Sequence, residues 1–409
     1  MRARTTAPLL VVALAAAAGC GFDAPVLLDR VADAARDLDA GREPDAAVDA
    51  PRFERRPGTA IVAGQWHSCV LDAGHLSCWG QNDKGQLGVG DTTNRSKIVA
   101  VAPGRSFAEV CGGEAHGCGL EASTGAVLCW GDDANGQLGD PSLTVSLVPK
   151  AVPLGAGAIA LGCGYQHTCA VLEDGSLQCW GANPESQLGR GTNSAREATP
   201  MPVAGGKTDW VRVAAGQAHT CAIRGDGSLW CWGRNSSGEC AQPTAPPGDQ
   251  QHVPIRVGTD VDWVRVVAAQ DATCALRTDD SLWCWGDNAF GNLGYPPPAS
   301  TTTPRRIGGP AAWSSLADET FHGAAIQRDG TLWTWGRNVE GQLGLGDFVD
   351  RTTPTVVAGP DRWLGVATGR FHTCALRTDR QVLCAGKNDT GALGTGDVTR
   401  RDVLTPTIR

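Results

Sequence analysis

The segment WGRNSSG, residues 232–238, recurs in varied form along most of the chain. Its tryptophan position returns every 50 to 53 residues. A period this regular indicates seven copies of one small structural unit, because independent domains would not share a common spacing. The seven positions are Trp79, Trp130, Trp180, Trp232, Trp285, Trp335 and Ala385.

The fourth copy reads as four short strands. Residues 210–216 alternate in polarity and stop at a glycine, which is typical of a strand. A second strand follows at residues 219–223, and the Gly-Asp-Gly sequence of residues 225–227 favours a tight turn into a third strand at residues 229–233. A proline-containing segment at residues 253–255 supplies the fourth. Four antiparallel strands per repeat predict one propeller blade, so the predicted fold is an all-β, seven-bladed β-propeller.

Closure of the seven blades into a ring would leave only short strand edges exposed. An open solenoid is the alternative, but neither end of the array carries an obvious polar cap. Residues 403–408 are in phase with residues 353–356 and predict the last fourth-type strand. The sequence leaves open whether this strand completes blade seven or pairs with blade one.

Cysteines recur in pairs around the predicted hairpin turns. Cys221 and Cys231 lie symmetrically about Asp226, which places them opposite each other in an antiparallel register. Blade six has Ala324 and Thr334 in these slots, so both cysteines are absent together. We predict six hairpin disulfides, each stabilising the fold by roughly 2–3 kcal/mol through loop entropy. The pairs are Cys69–Cys78, Cys118–Cys129, Cys169–Cys179, Cys221–Cys231, Cys274–Cys284 and Cys374–Cys384.

Three further cysteines of the repeats lie outside this pattern. Cys111 and Cys163 end the first strands of blades two and three, and the sequence leaves open whether they form a seventh disulfide. Cys240 occupies the leucine slot of a GQLG motif, which favours a small buried side chain. Two sulfurs per blade at a spacing of about ten residues do not match a zinc site, so we expect no metal.

Three submotifs recur in a fixed order, GxxH, WGxN and GQLG. They occur, for example, at residues 369–372, 335–338 and 341–344. Over residues 59–408 the chain resembles the regulator of chromosome condensation repeat family, whose members are seven-bladed propellers. That family includes a nuclear exchange factor for a small GTPase, a plant ultraviolet photoreceptor and a secreted bacterial β-lactamase inhibitor. The resemblance therefore implies the fold and leaves the function open.

The amino terminus predicts export. Residues 1–20 combine two arginines with an apolar run that ends in Gly-Cys, which is typical of a signal peptide. This ending resembles the bacterial lipobox, which implies lipidation of Cys20 and, with Gly21 next, sorting to the outer membrane. Simple secretion is the alternative.

Composition limits the partners. The formal net charge is −8, and no basic cluster of the kind that binds a phosphate backbone occurs, so we expect no nucleic-acid partner. Residues 21–58 are rich in Asp, Ala and Arg and predict a disordered tether, which leaves residues 59–409 for the propeller. We expect a monomer that contacts the membrane through its lipid anchor alone.

The sequence carries no nucleophile elbow, phosphate-binding loop or metalloprotease motif, and we expect no cofactor. Six histidines recur in phase, and a residue repeated once per blade is expected to support the blade through hydrogen bonds. A hydrolase or lyase with a site at the ring mouth is the enzyme alternative, and it needs converging acid–base residues. The six are His67, His116, His167, His219, His322 and His372.

The two residues between Gly and His vary from blade to blade, because they lie in the loop that joins strands one and two. In a closed ring, blades six, seven and one are neighbours, so their loop aromatics form an arc on one face. Aromatics at exposed loop positions suit a protein-binding hot spot, whereas packing over the blades is the alternative. Blade six also lacks the glycine of the GxxH motif and has Asp318-Glu319 there instead, and such local departures from a repeat are often functional. The partner-binding candidates are Trp66, Tyr165, Asp318, Glu319, Phe321, Arg370 and Phe371.

Together these features favour a non-enzymatic protein-binding module at the bacterial cell envelope, with an unidentified protein as partner. Guanine-nucleotide exchange on a small GTPase is a further alternative by family analogy. Export, acidity and the absence of a long insertion between blades disfavour it.

Overall fold

A computed structural model describes residues 56–243, 250–296, 300–310, 312–318 and 321–409. The predicted signal peptide, Cys20 and residues 21–55 lie outside these ranges. Within the described ranges, no helix has the length and apolar character needed to cross a membrane.

The described residues form 28 strands in seven four-stranded antiparallel sheets, one sheet per repeat, and strand order in each sheet follows sequence order. The first four blades contain β1 (Ala60–Ala63), β2 (His67–Asp72), β3 (His75–Gly80) and β4 (Arg95–Ala100); β5 (Phe107–Gly112), β6 (His116–Glu121), β7 (Val127–Asp132) and β8 (Val145–Ala151); β9 (Ala158–Cys163), β10 (His167–Leu172), β11 (Leu177–Ala182) and β12 (Arg196–Pro202); and β13 (Trp210–Ala215), β14 (His219–Arg224), β15 (Leu229–Arg234) and β16 (Gln250–Arg256). The last three contain β17 (Trp263–Ala268), β18 (Ala272–Arg277), β19 (Leu282–Asp287) and β20 (Ser300–Ile307); β21 (Trp313–Asp318), β22 (His322–Gln327), β23 (Leu332–Gly336) and β24 (Arg351–Val356); and β25 (Trp363–Thr368), β26 (His372–Arg377), β27 (Val382–Gly386) and β28 (Arg401–Pro406).

Burial follows the position of each strand in its blade. The second strands, such as β14, are buried along most of their length, because neighbouring blades cover both faces. The fourth strands, such as β24 and β28, are the most exposed and carry Thr, Arg and Pro. The first strands of successive blades contact one another around the ring and line its central channel. The predicted seven-bladed propeller is therefore confirmed.

The tryptophan of the WGxN motif ties a blade to the one before it at six of the seven junctions, and blade seven has Ala385 in this position. Trp232 is fully buried, and its Nε1 donates to the main-chain carbonyl oxygen of Gln187 at 2.9 Å. Trp79 of blade one closes the ring by donating to the carbonyl oxygen of Ala392 in blade seven at 2.8 Å. The same bond joins Trp130 to Gln86, Trp180 to Gln137, Trp285 to Glu239 and Trp335 to Asn292.

The last strand resolves the question of closure. β28 pairs with β27, so it completes blade seven rather than joining blade one. Just beyond it, the carbonyl oxygen of Ile408 accepts a hydrogen bond from the amide of Ile98 in β4 at 3.0 Å. The carboxyl end of the chain thus contacts the outer strand of blade one as well.

Seven disulfides lie in the described part of the chain. Six join Cα partners of strands two and three, with Cα–Cα distances of 4.0–4.1 Å. The seventh joins Cys111 to Cys163 and so links blades two and three. Cys240 is a free, buried cysteine. The six hairpin pairs are Cys69–Cys78, Cys118–Cys129, Cys169–Cys179, Cys221–Cys231, Cys274–Cys284 and Cys374–Cys384.

Candidate functional site

One face of the ring collects two loops from every blade. Strands one and three run in the same direction, so the GxxH loop and the segment after the WGxN tryptophan emerge on the same side, called here the loop face. A backbone hydrogen bond joins the two loops: the amide of Arg337 donates to the carbonyl oxygen of Phe321 at 2.9 Å, and that of Lys387 to Phe371 at 2.9 Å. The variable residue of WGxN therefore lies beside the last variable residue of the GxxH loop.

Four aromatic rings lie in a continuous series on the loop face, across blades five, six, seven and one. Phe290 contacts Phe321 with ring centroids 5.3 Å apart, and Phe321 contacts Phe371 at 5.1 Å. Phe371 contacts Trp66 at 5.6 Å across the closure of the ring. All four side chains are half-buried, so part of each ring faces solvent. We call Phe290, Phe321, Phe371 and Trp66 the aromatic row.

Three cations are interleaved with this row. The guanidinium carbon of Arg337 lies 5.0 Å from the ring centroid of Phe290 and 5.1 Å from that of Phe321. Arg370 lies 5.6 Å from Phe371 and 5.9 Å from Phe321, and the Lys387 Nζ lies 5.6 Å from Trp66. Each such contact contributes roughly 0.5–1 kcal/mol at an exposed site. The cations therefore hold the rings in place and give the row a positive charge.

The loops that carry the row are fixed to one another. The amide of Arg370 donates to the carbonyl oxygen of Gln65 at 3.1 Å, which couples blade seven to blade one. The Thr390 Oγ1 donates to the carbonyl oxygen of Trp66 at 3.2 Å. A surface that is already ordered loses little conformational entropy when a partner binds.

Of the partner-binding candidates, the structure brings Trp66, Phe321, Phe371 and Arg370 together. It places Tyr165 elsewhere: its side chain is 9 % exposed at the channel mouth, and its hydroxyl donates to the Gln270 Oε1 at 3.3 Å. Glu319 and the side chain of Asp318 lie outside the described residues.

Phe290 of the row and the interleaved cations Arg337 and Lys387 lie outside the GxxH loops, where the sequence predicted partner-binding residues. Each has a sequence signal: Arg337 and Lys387 are the variable residues of their WGxN motifs, and Phe290 precedes the glycine of the GNLG segment. The topology that places strand-three ends beside GxxH loops makes these positions part of the same face.

The loop face is electrostatically asymmetric. In blade five the two adjoining loop positions hold Asp271 and Asp287. Burial raises the pKa of Asp287, and the neighbouring Asp271 carboxylate raises it further. In blade two, Glu114 and Asp132 occupy the two loops. Carboxylates on blades five and two thus border the cationic row, and one of them, Asp271, pairs with Arg234 of blade four.

The repeated histidines do not line a site. The Nε2 of His219 lies 2.9 Å from the Oγ1 of Thr273 in the next blade, and the pattern repeats for four other histidines. Burial lowers the pKa of His219 to about 3 and that of His67 to about 4. These rings are neutral between blades at physiological pH, so they do not supply the acid–base chemistry that the enzyme alternative requires.

The channel holds three charged side chains on first strands, Glu109, Arg212 and Arg265. They belong to blades two, four and five, and the charges of Arg212 and Arg265 both act on Glu109. Burial raises the pKa of Glu109 to about 7, and the charge of Arg212 opposes that rise. A carboxyl group with this pKa beside arginine charges is the kind of group that acts as a general acid or base.

One group of potential metal ligands occurs among the described residues, His116, Cys118 and Cys163. Both cysteines are in disulfides, so neither offers a thiolate. The group does not form a metal centre in this oxidised state.

Comparison with known proteins gives consistent matches. The family model described as RCC1-like domain matches residues 127–409, and the regulator of chromosome condensation (RCC1) repeat matches residues 59–86. The probable E3 ubiquitin-protein ligase HERC6 of Homo sapiens is 30% identical over 271 residues, which cover 61% of this chain and 26% of the ligase. The ultraviolet-B receptor UVR8 of Arabidopsis thaliana is 30% identical over 242 residues, which cover 57% of this chain and 54% of the receptor. The chain thus spans about a quarter of the first and about half of the second.

Among solved structures, yeast RCC1 (Prp20) bound to Kap60 is similar with a TM-score of 0.75 and 19% identity. The match covers 91% of this chain and 90% of that one. At this identity the likeness supports the fold alone.

Proposed function

The chain belongs to the RCC1-like family, and we propose that it is a protein-interaction module without catalytic activity, displayed at the bacterial cell envelope. The observation that carries the proposal is the aromatic row, four half-exposed rings on loops fixed by backbone hydrogen bonds. Clustered aromatic and arginine side chains are typical of protein-binding hot spots. The similar yeast propeller was solved with a protein, Kap60, bound to it.

Display outside the cytoplasm is supported by the cysteines. Fourteen of them form seven disulfides in the described residues, which is typical of an oxidising compartment. We propose export by the signal peptide and anchoring through a lipidated Cys20, with secretion as the alternative. A monomeric propeller on the tether of residues 21–58 would then reach partners near the membrane.

The enzyme alternative has Glu109 in its favour, since a carboxyl group with a pKa of about 7 beside two arginines is a candidate general acid or base. The enzyme alternative lacks a second acid–base group to act with Glu109, because the repeated histidines are held between blades. Exchange on a small GTPase has no residue-level support in the loop face.

The proposal is tested by capture from envelope and secreted fractions with the chain that follows the predicted signal peptide. The Trp66→Ala/Phe321→Ala/Phe371→Ala variant is expected to lose the captured protein. A matched control is Phe348→Ala, because Phe348 is 44% exposed and stacks with Arg400 outside the row. In the same cells, Cys20→Ala is expected to move the chain from the membrane to the soluble fraction. Equal capture by the triple variant would refute binding by the row, and unchanged membrane retention would refute the anchor.

A further inference from the structure

The row holds two neighbouring arginines that no carboxylate neutralises. Many arginines elsewhere pair with carboxylates, as Arg351 does with Asp347 at 2.6 Å and Arg401 with Asp397 at 2.6 Å. Arg337 and Arg370 form no ion pair with any carboxylate in the described part of the chain, and the Arg370 Nε is buried without a hydrogen-bond partner. In a chain of net charge −8, two unpaired guanidinium groups side by side call for an external anion.

The geometry shows where that anion would bind. Both guanidinium groups lie over ring faces, which occupies the flat side of each cation. The donors on their terminal nitrogens have no carboxylate partner in the described residues, whereas the Arg370 Nε is buried. Carboxylates bind arginine in this plane, often through two parallel hydrogen bonds. The exposed parts of the four rings offer apolar surface directly beside these donors.

Building on the proposed function, we propose that the aromatic row binds a short acidic segment of the partner protein. The segment lies extended along the row, places two carboxylates on Arg337 and Arg370, and packs an aromatic or branched apolar side chain between them on Phe321 and Phe371. Lys387 already pairs with Asp389 at 3.1 Å and contributes less to recognition.

Length and charge define the segment. Successive rings are 5.1–5.6 Å apart, and an extended chain advances about 3.3 Å per residue, so the row accommodates about five residues. The flanking carboxylates of Asp287 and Glu114 would repel a long polyanion such as a nucleic acid, whereas Asp271 already pairs with Arg234. A short peptide with two acidic residues fits between these flanks.

The probe is a random heptapeptide library displayed on phage and panned on the chain that follows the signal peptide. We expect recovered peptides to carry Asp or Glu on both sides of an aromatic or branched apolar residue. A synthetic copy of the strongest peptide should bind at least about tenfold more weakly to Arg337→Gln/Arg370→Gln, because each substitution removes a charge-assisted hydrogen bond to a peptide carboxylate. Replacing the acidic residues of the peptide by their amides, or raising the salt concentration, should weaken binding similarly.

Two controls sharpen the result. Arg400→Gln with Phe348→Ala removes an aromatic–cation pair outside the row and should leave the affinity unchanged. Arg305→Gln removes a guanidinium group that stacks on Tyr295 outside the row and should also leave the affinity unchanged, whereas weaker binding would contradict recognition by the row arginines. An unchanged melting temperature of the arginine variant shows that it is folded. If the variant does not fold, the inference is tested on the wild-type protein, by the salt dependence of peptide binding and by the affinity of the peptide with amides in place of its acidic residues.

The outcomes separate this inference from the proposed function. Peptides that need Phe321 and Phe371 but no carboxylate would overturn the acidic segment and leave the protein-binding row intact. Acidic peptides that bind equally well to the aromatic triple variant would overturn both. A third outcome is that no peptide is recovered, but the wild-type chain is retained on vesicles of anionic lipid or on a uronic-acid oligosaccharide and the aromatic triple variant is not. The row would then bind a different class of ligand, and both proposals would be overturned. Dimerisation lost in the arginine variant would assign the row to a second copy of this chain and overturn the inference.

Discussion

At the scale of single residues, hydrogen bonds that cross between blades determine which ring nitrogen of a buried histidine carries the proton. The Thr273 Oγ1 donates its one proton to the carbonyl oxygen of Glu239 at 2.9 Å. It therefore accepts from the Nε2 of His219, 2.9 Å away, which must carry the ring proton. The neutral ring with a proton on Nε2 is thus fixed by a residue of the next blade.

Thr273→Val tests this arrangement. The change keeps the shape of the side chain but leaves the buried His219 N–H without an acceptor, which costs about 1–3 kcal/mol. We expect the free energy of unfolding, measured by urea denaturation, to fall by that amount. Thr353→Val is the control, because Thr353 is exposed on β24. Equal stability of the Thr273→Val variant and wild type would contradict a structural role for the bond.

The sequence predicts that these histidines support the fold but not how. Their partners are 51 to 54 residues away, or 304 for the pair that closes the ring, so the contact is visible only when repeats are aligned in phase. Blade five has Ala272 in the histidine slot, and the matching slot of blade six holds Gly323. Donor and acceptor are therefore absent together at this junction, whereas blade one keeps His67 although the matching slot of blade two holds Gly117.

At the scale of the blade, register explains why the hairpin cysteines could be paired from the sequence. Residues equidistant from a tight turn face each other in an antiparallel hairpin, and the structure pairs Cys221 with Cys231 in this way. The bond between Cys111 and Cys163 depends instead on how closely blades two and three approach. Spacing within one repeat holds no information on that distance, so the sequence left the pairing open.

Blade six offers a direct test of this register. Ala324 and Thr334 are Cα partners at the position where the other blades have a disulfide. Ala324→Cys/Thr334→Cys should form a bond worth roughly 2–3 kcal/mol by loop entropy. Loss of the hydrogen bond from the Thr334 Oγ1 to the Leu343 carbonyl oxygen should offset about 1 kcal/mol of that gain.

The measurement is the urea midpoint of the double variant with and without a reducing agent, compared with Ala324→Cys alone. We expect a higher midpoint under oxidising conditions in the double variant only. Two free thiols by mass spectrometry after oxidation would show that the register of β22 and β23 does not bring these positions together.

At the scale of the whole molecule, closure of the ring creates the candidate site. Phe371 and Trp66 are 305 positions apart in the chain and meet because blade seven packs on blade one. Repeat phase predicts this neighbourhood, and so three of the four rings could be named from sequence. Phe290 and the interleaved cations could be assigned to this site only once the structure showed where the third strands end. The identity of the partner depends on chemistry outside this chain.

The buried histidines predict acid sensitivity of the entire ring. Burial lowers the pKa of five of them to about 3 and of His67 to about 4, from an ordinary value of 6.5. Below about pH 6.5 the histidines of the unfolded chain bind protons, whereas those of the folded ring stay neutral. The contribution of the buried histidines to the free energy of unfolding is therefore fully present above about pH 6.5 and is lost as the pH falls below it. Each histidine contributes a slope of up to about 1.4 kcal/mol per pH unit. Glu109, with a pKa raised to about 7, and Asp133, raised to about 6, act in the opposite direction, but the six histidines outnumber them.

We expect the urea midpoint to fall clearly between pH 7.5 and pH 5.5, and further at pH 4.5. His219→Gln should reduce the pH dependence by one proton, whereas the exposed His75→Gln should leave it unchanged. A midpoint that does not change between pH 7.5 and pH 5.5 would mean that the histidines can be protonated within the folded ring. In that case local opening between blades, rather than global unfolding, would let protons reach the histidines. The contacts between blades would then be less stable than their hydrogen bonds indicate.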